Sequence, residues 1–196
     1  MLIGLTGRKQ AGKDTVFERA RHLMADVLPV ERASFADLLY ESAAASLGVF
    51  VDDLRRWKND PEVFVTVGLA NCTTYRRQSL RQYLQRYGTE AHRSVFGDDF
   101  WVDNVRLDHA GKLVFVTDVR FDNEAQAVRR AGGIVVRVVG PEEIEHAPDG
   151  HASEAGLSAG TVDLTLRNGR RDDGFRSLDV ALAAFIRSSL QTGWAA

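Results

Sequence analysis

The strongest restriction on the fold of this chain comes from a glycine-rich loop near its first residue. Gly7, Gly12 and Lys13 form the pattern G-x-x-x-x-G-K, in which backbone N–H groups surround phosphates and the lysine reaches the β- and γ-phosphates. The apolar run "MLIGLT" precedes the loop, and residues 16–27 after it have the apolar spacing of one helical face. This order predicts a phosphate-binding loop between a strand and a helix. A glycine turn with an incidental lysine is the alternative.

The residue after Lys13 is unusual for such a loop. Asp14 stands where a serine or threonine usually holds magnesium, and Thr15 follows it. Asp14 would bind the ion through water, or Thr15 would supply the hydroxyl, and the sequence leaves both open. We expect ATP to be bound along the loop by these residues: Gly7, Arg8, Lys9, Gly12, Lys13, Asp14 and Thr15.

Strand and helix patterns alternate along the rest of the chain. The sequence predicts strands at 31–35, 112–118, 134–140 and 162–166, and amphipathic patterns predict helices at 36–47, 76–88, 123–133 and 175–190. Residues 49–75 read as helical pieces with a loop, and residues 140–160 as a loop rich in Gly, Pro, Asp and His. Such alternation predicts an α/β fold with a parallel sheet, whose ligands bind at the carboxyl ends of the strands.

An acidic residue follows the clearest buried strand, "KLVFVTDVRF". Asp118 in this position fits the acid that holds the magnesium shell in phosphate-loop enzymes, and Arg120 would point into the same crevice. The alternative for Asp118 is a helix cap, although Asp122 or Asn123 fits that role better because they directly precede the next helical pattern. For Arg120 the alternative is a surface salt bridge.

A second polar cluster lies in "LRQYLQRYGTEAHRSVFGDDFW". Its arginines offer bidentate donors for a phosphate, Gln85 offers an amide for a base, and Trp101 offers an aromatic face. A nucleotide acceptor needs such a combination, and Arg93 lies beyond a glycine break at Gly88. Arg81 and Arg86 fit an ordinary solvated helix face equally well.

Charge and composition exclude several other classes. The formal net charge of −2 shows no basic excess, which argues against a nucleic-acid binder. No apolar run approaches the roughly 20 residues that span a bilayer, and the first residues lead directly into the loop rather than resembling a signal peptide. Cys72 is the single cysteine, so no intramolecular disulfide is possible. We expect a cytoplasmic protein.

Taken together, these stretches resemble the bacteriophage-type deoxynucleoside monophosphate kinases, within the P-loop nucleoside monophosphate kinase group. Five segments carry the resemblance: G-x-x-x-x-G-K-D-T at 7–15, LQ-x-x-GTE-x-x-R at 84–93 with Phe-Trp at 100–101, DVRF-x-NE at 118–124, H-x-SE at 151–154 and Asn-Gly at 168–169. The glycine loop alone is generic, but the ordered combination is specific. The resemblance covers the chain from Met1 to about residue 180.

The resemblance implies a three-layer P-loop NTPase fold, with a five-stranded parallel sheet in the order 2-3-1-4-5 and helices on both faces. Residues 1–196 would form a single kinase domain, with an acceptor-binding region at about 49–105 and a lid at about 141–160. The activity would be in-line transfer of the ATP γ-phosphoryl group to a deoxynucleoside monophosphate, with Mg²⁺ as cofactor and nucleotides as the partners. Whether the protein forms a homodimer, and which bases it accepts, stay open; if a phage encodes it, the location would be the host cytoplasm.

Site residues follow from the same resemblance. Lys13, Asp118 and Arg120 would be catalytic, Asn168 would join the ATP site, and the magnesium ligands would be Asp14, Thr15 and Asp118. The acceptor would be bound by seven residues: Asp37, Gln85, Arg93, Trp101, Arg120, Asn123 and Glu124.

Two departures from the family pattern leave alternatives open. Tyr40 replaces a lysine, and Gly140 precedes Pro141 where the family has arginine. An arginine near the donor phosphates would therefore be missing, or be supplied elsewhere, for instance by Arg129, Arg130 or Arg137. One alternative function is a kinase for another small phosphorylated acceptor, since the phosphomevalonate and dephospho-coenzyme A kinases share the GKD-T loop. The other is a non-catalytic ATP-binding regulatory module, which would need Lys13 but not the acceptor arginines.

Overall fold

The computed structural model describes residues 1–68, 75–140, 157–158, 160–168 and 174–191. The chain divides into two compact units, one formed by Met1–Phe35 with Arg106–Ala196 and the other by Ala36–Val105. The predicted acceptor-binding region, 49–105, falls within the second unit. The assignment of the whole chain to a single domain stays a prediction.

The described helices and strands follow one another along the chain in this order: β1 (Leu2–Thr6), α1 (Lys13–Leu23), β2 (Val30–Ala33), α2 (Ala36–Leu47), α3 (Val51–Trp57), β3 (Phe64–Gly68), β4 (Tyr75–Ser79), α4 (Leu80–Arg86), a π-helix (Tyr87–Arg93), α5 (Ser94–Phe96), α6 (Phe100–Asp103), β5 (Leu113–Val116), α7 (Asp122–Arg130), β6 (Ile134–Val139), β7 (Leu164–Arg167) and α8 (Arg176–Gln191). In the described part of the chain, no helix is both long enough and apolar enough to cross a membrane.

The first unit is built on a parallel sheet of five strands in the order β2-β5-β1-β6-β7. Counting only the strands of this sheet along the chain, the order is 2-3-1-4-5, so the predicted topology is confirmed. β1 lies at the centre, and its five residues are all buried. A central strand buried on both faces needs a continuous apolar run, which explains the sequence of β1.

Helices cover both faces of this sheet. On one face, Ile3 and Leu5 of β1 belong to a core with α1 and α8, to which the helices contribute Val16, Phe17, Ala20, Leu178, Leu182 and Ile186. The side-chain position of Gly4 faces the opposite side of the sheet, because side chains alternate along a strand. There a Cβ on Gly4 would lie 3.1 Å from Cγ2 of Val128 in α7. The predicted helices on both faces are therefore confirmed.

The second unit combines helices with a two-stranded antiparallel hairpin, β3–β4. Its core joins α2, α3 and α4 through Tyr40, Ala43, Ala44, Leu54, Leu80 and Leu84. The hairpin corrects the predicted helix at 76–88, because residues 75–79 pair with β3 and the helix begins only at Leu80. Ser79 caps it: its hydroxyl accepts from the Gln82 N–H at 3.2 Å, and its own N–H donates to Gln82 Oε1 at 3.1 Å.

Two further predictions are changed or left open by the structure. The first helix ends at Leu23 rather than near residue 27. Residues 141–156 and 159 of the predicted lid lie outside the described residues, together with Cys72, Gly169 and the H-x-SE segment at 151–154.

Candidate active site

The strand ends of the first unit bring the predicted site residues to one edge of the sheet. Gly7 follows β1, Ser34 follows β2, Asp118 lies two residues after β5, Gly140 follows β6 and Asn168 follows β7. Because the strands are parallel, their carboxyl ends share this edge, where α/β proteins bind their ligands. The candidate donor site therefore rests on five neighbouring strand ends.

The glycine loop between β1 and α1 has the backbone shape that its sequence predicts. Gly7 has φ +143°, and a Cβ there would lie 2.3 Å from the carbonyl oxygen of Val138. Gly12 has φ +91° and precedes the first residue of α1. Gln10 also lies in the left-handed region, with φ 63°. Residues with positive φ within a loop let neighbouring backbone N–H groups face the same concave surface. A backbone of this kind binds phosphate through those N–H groups.

Lys13 lies over the carbonyl groups of this loop. Its Nζ donates to the carbonyl oxygen of Gly7 at 2.8 Å and to that of Arg8 at 3.0 Å. As the first residue of α1, Lys13 also lies at a helix N-terminus, where the backbone dipoles favour an anion. The ammonium group and the helix end thus place positive charge at one point of the loop.

Oxygen donors for a magnesium ion follow directly in α1. Asp14 is exposed and Thr15 is half-buried, and both line a shallow depression together with Glu18, Arg19 and Phe175. Carboxylate and hydroxyl oxygens suit Mg²⁺, which is usually held by one or two protein groups while phosphates and water complete its shell. These donors therefore fit a magnesium ion that arrives with a nucleotide.

Asn168 connects the last strand of the sheet to the loop. It is 8 % exposed, its backbone N–H donates to Val139 at 2.9 Å, and its Nδ2 donates to the carbonyl oxygen of Ala11 at 3.1 Å. Its Oδ1 is buried without a hydrogen-bond partner among the described residues. The predicted ATP-binding residue is thus held against the loop backbone.

Asp118 is engaged at both carboxylate oxygens. Ser34 Oγ donates to Oδ2 at 2.7 Å, and the Phe35 N–H donates to Oδ1 at 3.0 Å. Asp118 therefore positions the segment that follows β2, a role that the sequence did not indicate. Because a carboxylate has about four acceptor positions, this anchoring is compatible with the predicted contact to the magnesium shell.

The segment after Asp118 is organised by Glu124, which is 3 % exposed. Its Oε2 accepts from the backbone N–H groups of Arg120 at 2.8 Å and Phe121 at 3.1 Å. Glu124 therefore fixes the backbone on which the exposed Arg120 is carried. Asn123 Oδ1 accepts from the Glu124 N–H at 2.9 Å. The sequence motif predicts both residues at the acceptor and does not indicate this backbone role.

Asp122 does not cap α7 and instead binds the segment before β7. The helix N-cap is Phe121, so the expectation that Asp122 or Asn123 caps this helix was wrong. Asp122 accepts from the hydroxyl of Ser158, from its N–H at 2.9 Å, and from Thr161 Oγ1 at 3.2 Å. The hydrogen bond from the Ser158 hydroxyl is the main cause that lowers the pKa of Asp122.

In the second unit, the GTE segment forms a π-helix rather than a break. Gly88 lies inside it, buried, where a Cβ would be 3.3 Å from Leu39. The Trp101 indole N–H donates to the Gly88 carbonyl oxygen at 2.9 Å, and Trp101 is 5 % exposed. Helices of this type occur often at functional sites. Trp101 thus supports the π-helix, and its contact with a base stays a prediction.

Arg93 ends the π-helix and is 8 % exposed. Its guanidinium donates to the carbonyl oxygen of Asp98 at 3.2 Å, so the backbone holds this buried side chain in place. By contrast, Arg86 pairs with Glu90 at 2.8 Å and Arg81 donates to Asn59 at 2.7 Å, both exposed interactions. Gln85 is half-buried.

Asp37 and Tyr40 lie on α2 beside two cations. Asp37 accepts from Arg55 at 2.6 Å, while the Arg55 guanidinium lies 5.4 Å and Lys58 Nζ 5.3 Å from the centre of the Tyr40 ring. Positive charge is therefore present around the position where the family has a lysine.

In the first unit, Arg129 is already paired with Asp163 at 2.7 Å.

Comparison with known proteins agrees with the sequence motifs. A family model described as deoxynucleotide monophosphate kinase matches residues 52–177. A protein of Acanthamoeba polyphaga mimivirus, provisionally named deoxynucleotide monophosphate kinase, is 28% identical over 186 residues, which cover 90% of this chain and 93% of that protein. The deoxynucleotide monophosphate kinase of Enterobacteria phage T4 is 33% identical over 96 residues, 46% of this chain and 39% of the phage protein.

Proposed function

The chain belongs to the deoxynucleotide monophosphate kinase family, and from this premise we propose how its residues carry out phosphoryl transfer to a deoxynucleoside monophosphate. The observation that carries the proposal is the glycine loop at the carboxyl edge of the parallel sheet, with Lys13 Nζ 2.8 Å from the Gly7 carbonyl oxygen. We propose ATP with Mg²⁺ as the phosphoryl donor.

The loop and the first turn of α1 would bind the donor phosphates. The backbone N–H groups of the loop bind the β- and γ-phosphate oxygens. The Lys13 ammonium group leaves the carbonyl oxygens of the loop and binds the same phosphate oxygens. Asp14, Thr15 and Asp118 would hold the magnesium shell, which supplies charge neutralisation when the ion is bound. Phosphoryl transfer depends mainly on positioning and charge stabilisation, so no protein base is required.

Acceptor-binding residues are proposed for each unit by itself. In the first unit, Arg120 would bind acceptor phosphate, with Glu124 and Asn123 holding its backbone in place. In the second unit, Arg93 would bind acceptor phosphate, and Gln85 and Trp101 would contact its base. Asp37 would belong to the same acceptor-binding set. Arginine is suited to the phosphate because its planar guanidinium binds two oxygens at once.

A coupled ADP-release assay tests the proposed substrates. ATP with each of the four deoxynucleoside monophosphates is compared with ATP plus phosphomevalonate and ATP plus dephospho-coenzyme A. We expect ADP release to depend on at least one deoxynucleotide and not on the other two acceptors. ADP release with only those acceptors would contradict the deoxynucleotide assignment.

We propose a cytoplasmic location, the host's if a phage encodes the protein.

Replacement of Asp118 by asparagine tests its role toward magnesium. Asparagine keeps the shape and one acceptor oxygen, so it can still accept from the Phe35 N–H. Its Nδ2 can only donate to the Ser34 hydroxyl oxygen, and the negative charge is lost. We expect turnover to fall several-fold and the Mg²⁺ concentration for half-maximal activity to rise, because one anionic contact to the metal shell is lost. A magnesium titration of activity measures both.

Ser34→Ala is the matched control for Asp118. It removes the 2.7 Å hydrogen bond to Oδ2 but leaves the carboxylate in place. If Ser34→Ala shifts the magnesium titration as much as Asp118→Asn does, Asp118 acts only as an anchor for the segment after β2.

Replacement of Arg93 by lysine tests the acceptor assignment. Lysine keeps the charge but cannot bind two phosphate oxygens in the planar arrangement of arginine. We expect the KM for the deoxynucleotide to rise about tenfold, corresponding to ~1.4 kcal/mol, with little change in the KM for ATP. Arg86→Lys, at the exposed pair with Glu90, is the control and should leave both values unchanged. Equal shifts of the two KM values in Arg93→Lys would remove Arg93 from the acceptor site.

A further inference from the structure

We propose that Asn168 is a positioning residue that orients the phosphate loop, rather than a group that contacts ATP. The inference rests on the proposed function and adds a residue that acts through the backbone of the loop. Its basis is the hydrogen bond of 3.1 Å from Asn168 Nδ2 to the carbonyl oxygen of Ala11, a buried contact between two segments 157 residues apart.

The geometry of the peptide bond explains how this contact reaches the phosphate. The carbonyl group of Ala11 and the N–H group of Gly12 belong to one planar trans peptide, in which they point in opposite directions. Holding the carbonyl oxygen on Asn168 therefore directs the Gly12 N–H away from Asn168. In the proposed function that N–H is one of the donors that bind phosphate.

Asn168 is itself held firmly enough to act as such a support. Its backbone N–H donates to the Val139 carbonyl oxygen at 2.9 Å, which extends the pairing of β6 and β7 by one residue. The residue is 8 % exposed. The support for the loop thus comes from the sheet and not from a mobile surface side chain.

The close approach of Gly12 shows that loop and side chain fit each other. A Cβ on Gly12 would lie 2.0 Å from Asn168 Nδ2 and 3.1 Å from its Cγ. The second glycine of the motif is therefore required by Asn168 as well as by its φ of +91°. The contact that Asn168 makes with the loop runs through its donor Nδ2, while its Oδ1 makes no hydrogen bond with another described residue.

The test measures ATP binding separately from turnover. Isothermal titration with ATP and Mg²⁺ gives the Kd for the wild type and Asn168→Ala, which removes the donor. We expect the Kd for ATP and the KM for ATP to rise about five- to tenfold, the effect of one lost hydrogen bond. The KM for the deoxynucleotide should change less than twofold. Unchanged ATP binding, or equal shifts of both KM values, would overturn the proposal.

Two further variants keep the result interpretable. Ser189→Ala removes a different buried hydrogen-bond donor of the first unit, a hydroxyl that donates to the Phe185 carbonyl oxygen in α8, and should leave both KM values unchanged. Asn168→Asp keeps the side-chain shape and loses the donor, so it carries the test if the alanine variant does not fold. We expect it to bind ATP at least as weakly as Asn168→Ala, and wild-type affinity in this variant would also overturn the proposal.

The binding measurement also separates this proposal from the proposed function. If the wild type binds ATP but transfers phosphate to no deoxynucleotide, the proposed function fails while the comparison of Kd values still decides the role of Asn168. If the wild type does not bind ATP, both proposals are contradicted.

Discussion

Replacing Lys13 by alanine should reduce phosphoryl transfer by a factor on the order of 10² or more while the fold is retained. Loss of one preorganised positive group at the transferred phosphate typically costs this much. Lys13 is only half-buried and begins α1, so its removal leaves no cavity in the core. Steady-state rates and thermal unfolding of the variant, measured side by side, check the two halves of this prediction.

Lys112→Ala is the matched control for Lys13. Lys112 pairs with Glu31 at 2.7 Å and precedes β5, at the opposite edge of the sheet from the glycine loop. Its loss should leave the rate unchanged. A folded Lys13→Ala variant with normal turnover would contradict the role of the loop in catalysis.

Replacing Gly12 by alanine should also remove most of the activity and, in addition, destabilise the protein. A left-handed alanine costs about 1–2 kcal/mol, and the overpacked contact with Asn168, where the new Cβ would lie 2.0 Å from Nδ2, costs about 1–3 kcal/mol more. Displacement of the loop by about 1 Å is enough to lower the rate about 10²-fold. Chemical denaturation and steady-state kinetics measure the two effects.

Gly132 offers a control that separates the cost of a left-handed alanine from the cost of the close contact with Asn168. It has φ +79°, similar to Gly12, but a Cβ there would meet nothing within 4 Å. Gly132→Ala should therefore show the backbone cost alone, with full activity. If both alanine variants lose the same stability and keep the same activity, the close fit between Gly12 and Asn168 has no consequence.

The fold of the first unit could be predicted because its signals are local. The strands β1 and β5 are short apolar runs, and β6 is one interrupted only by Arg137. The glycine loop marks the turn between β1 and α1. In the second unit, α2 occupies residues 36–47 as predicted. The hairpin β3–β4 could not be predicted in the same way. Its second strand contains Arg76 and Arg77, which resemble a polar helix face, and only pairing with a distant strand makes them extended.

The site residues were predictable by type, but their partners were not. Asp118 and Glu124 lie where the motifs indicate, yet their carboxylates accept from backbone N–H groups of Phe35 and Arg120. A sequence does not show which way a side chain points when its partner is a backbone group. For the same reason, Gly88 suggested a chain break, whereas its close contacts with Leu39 and Trp101 keep it inside a π-helix.

The most direct test of the account follows the γ-phosphate itself. The wild type is incubated with γ-labelled ATP, Mg²⁺ and each deoxynucleoside monophosphate, and the labelled products are separated. We predict that the label appears in a deoxynucleoside diphosphate with at least one acceptor and that Lys13→Ala abolishes its transfer. Label found only in ATP or in inorganic phosphate with all four acceptors would contradict the assignment as a deoxynucleoside monophosphate kinase.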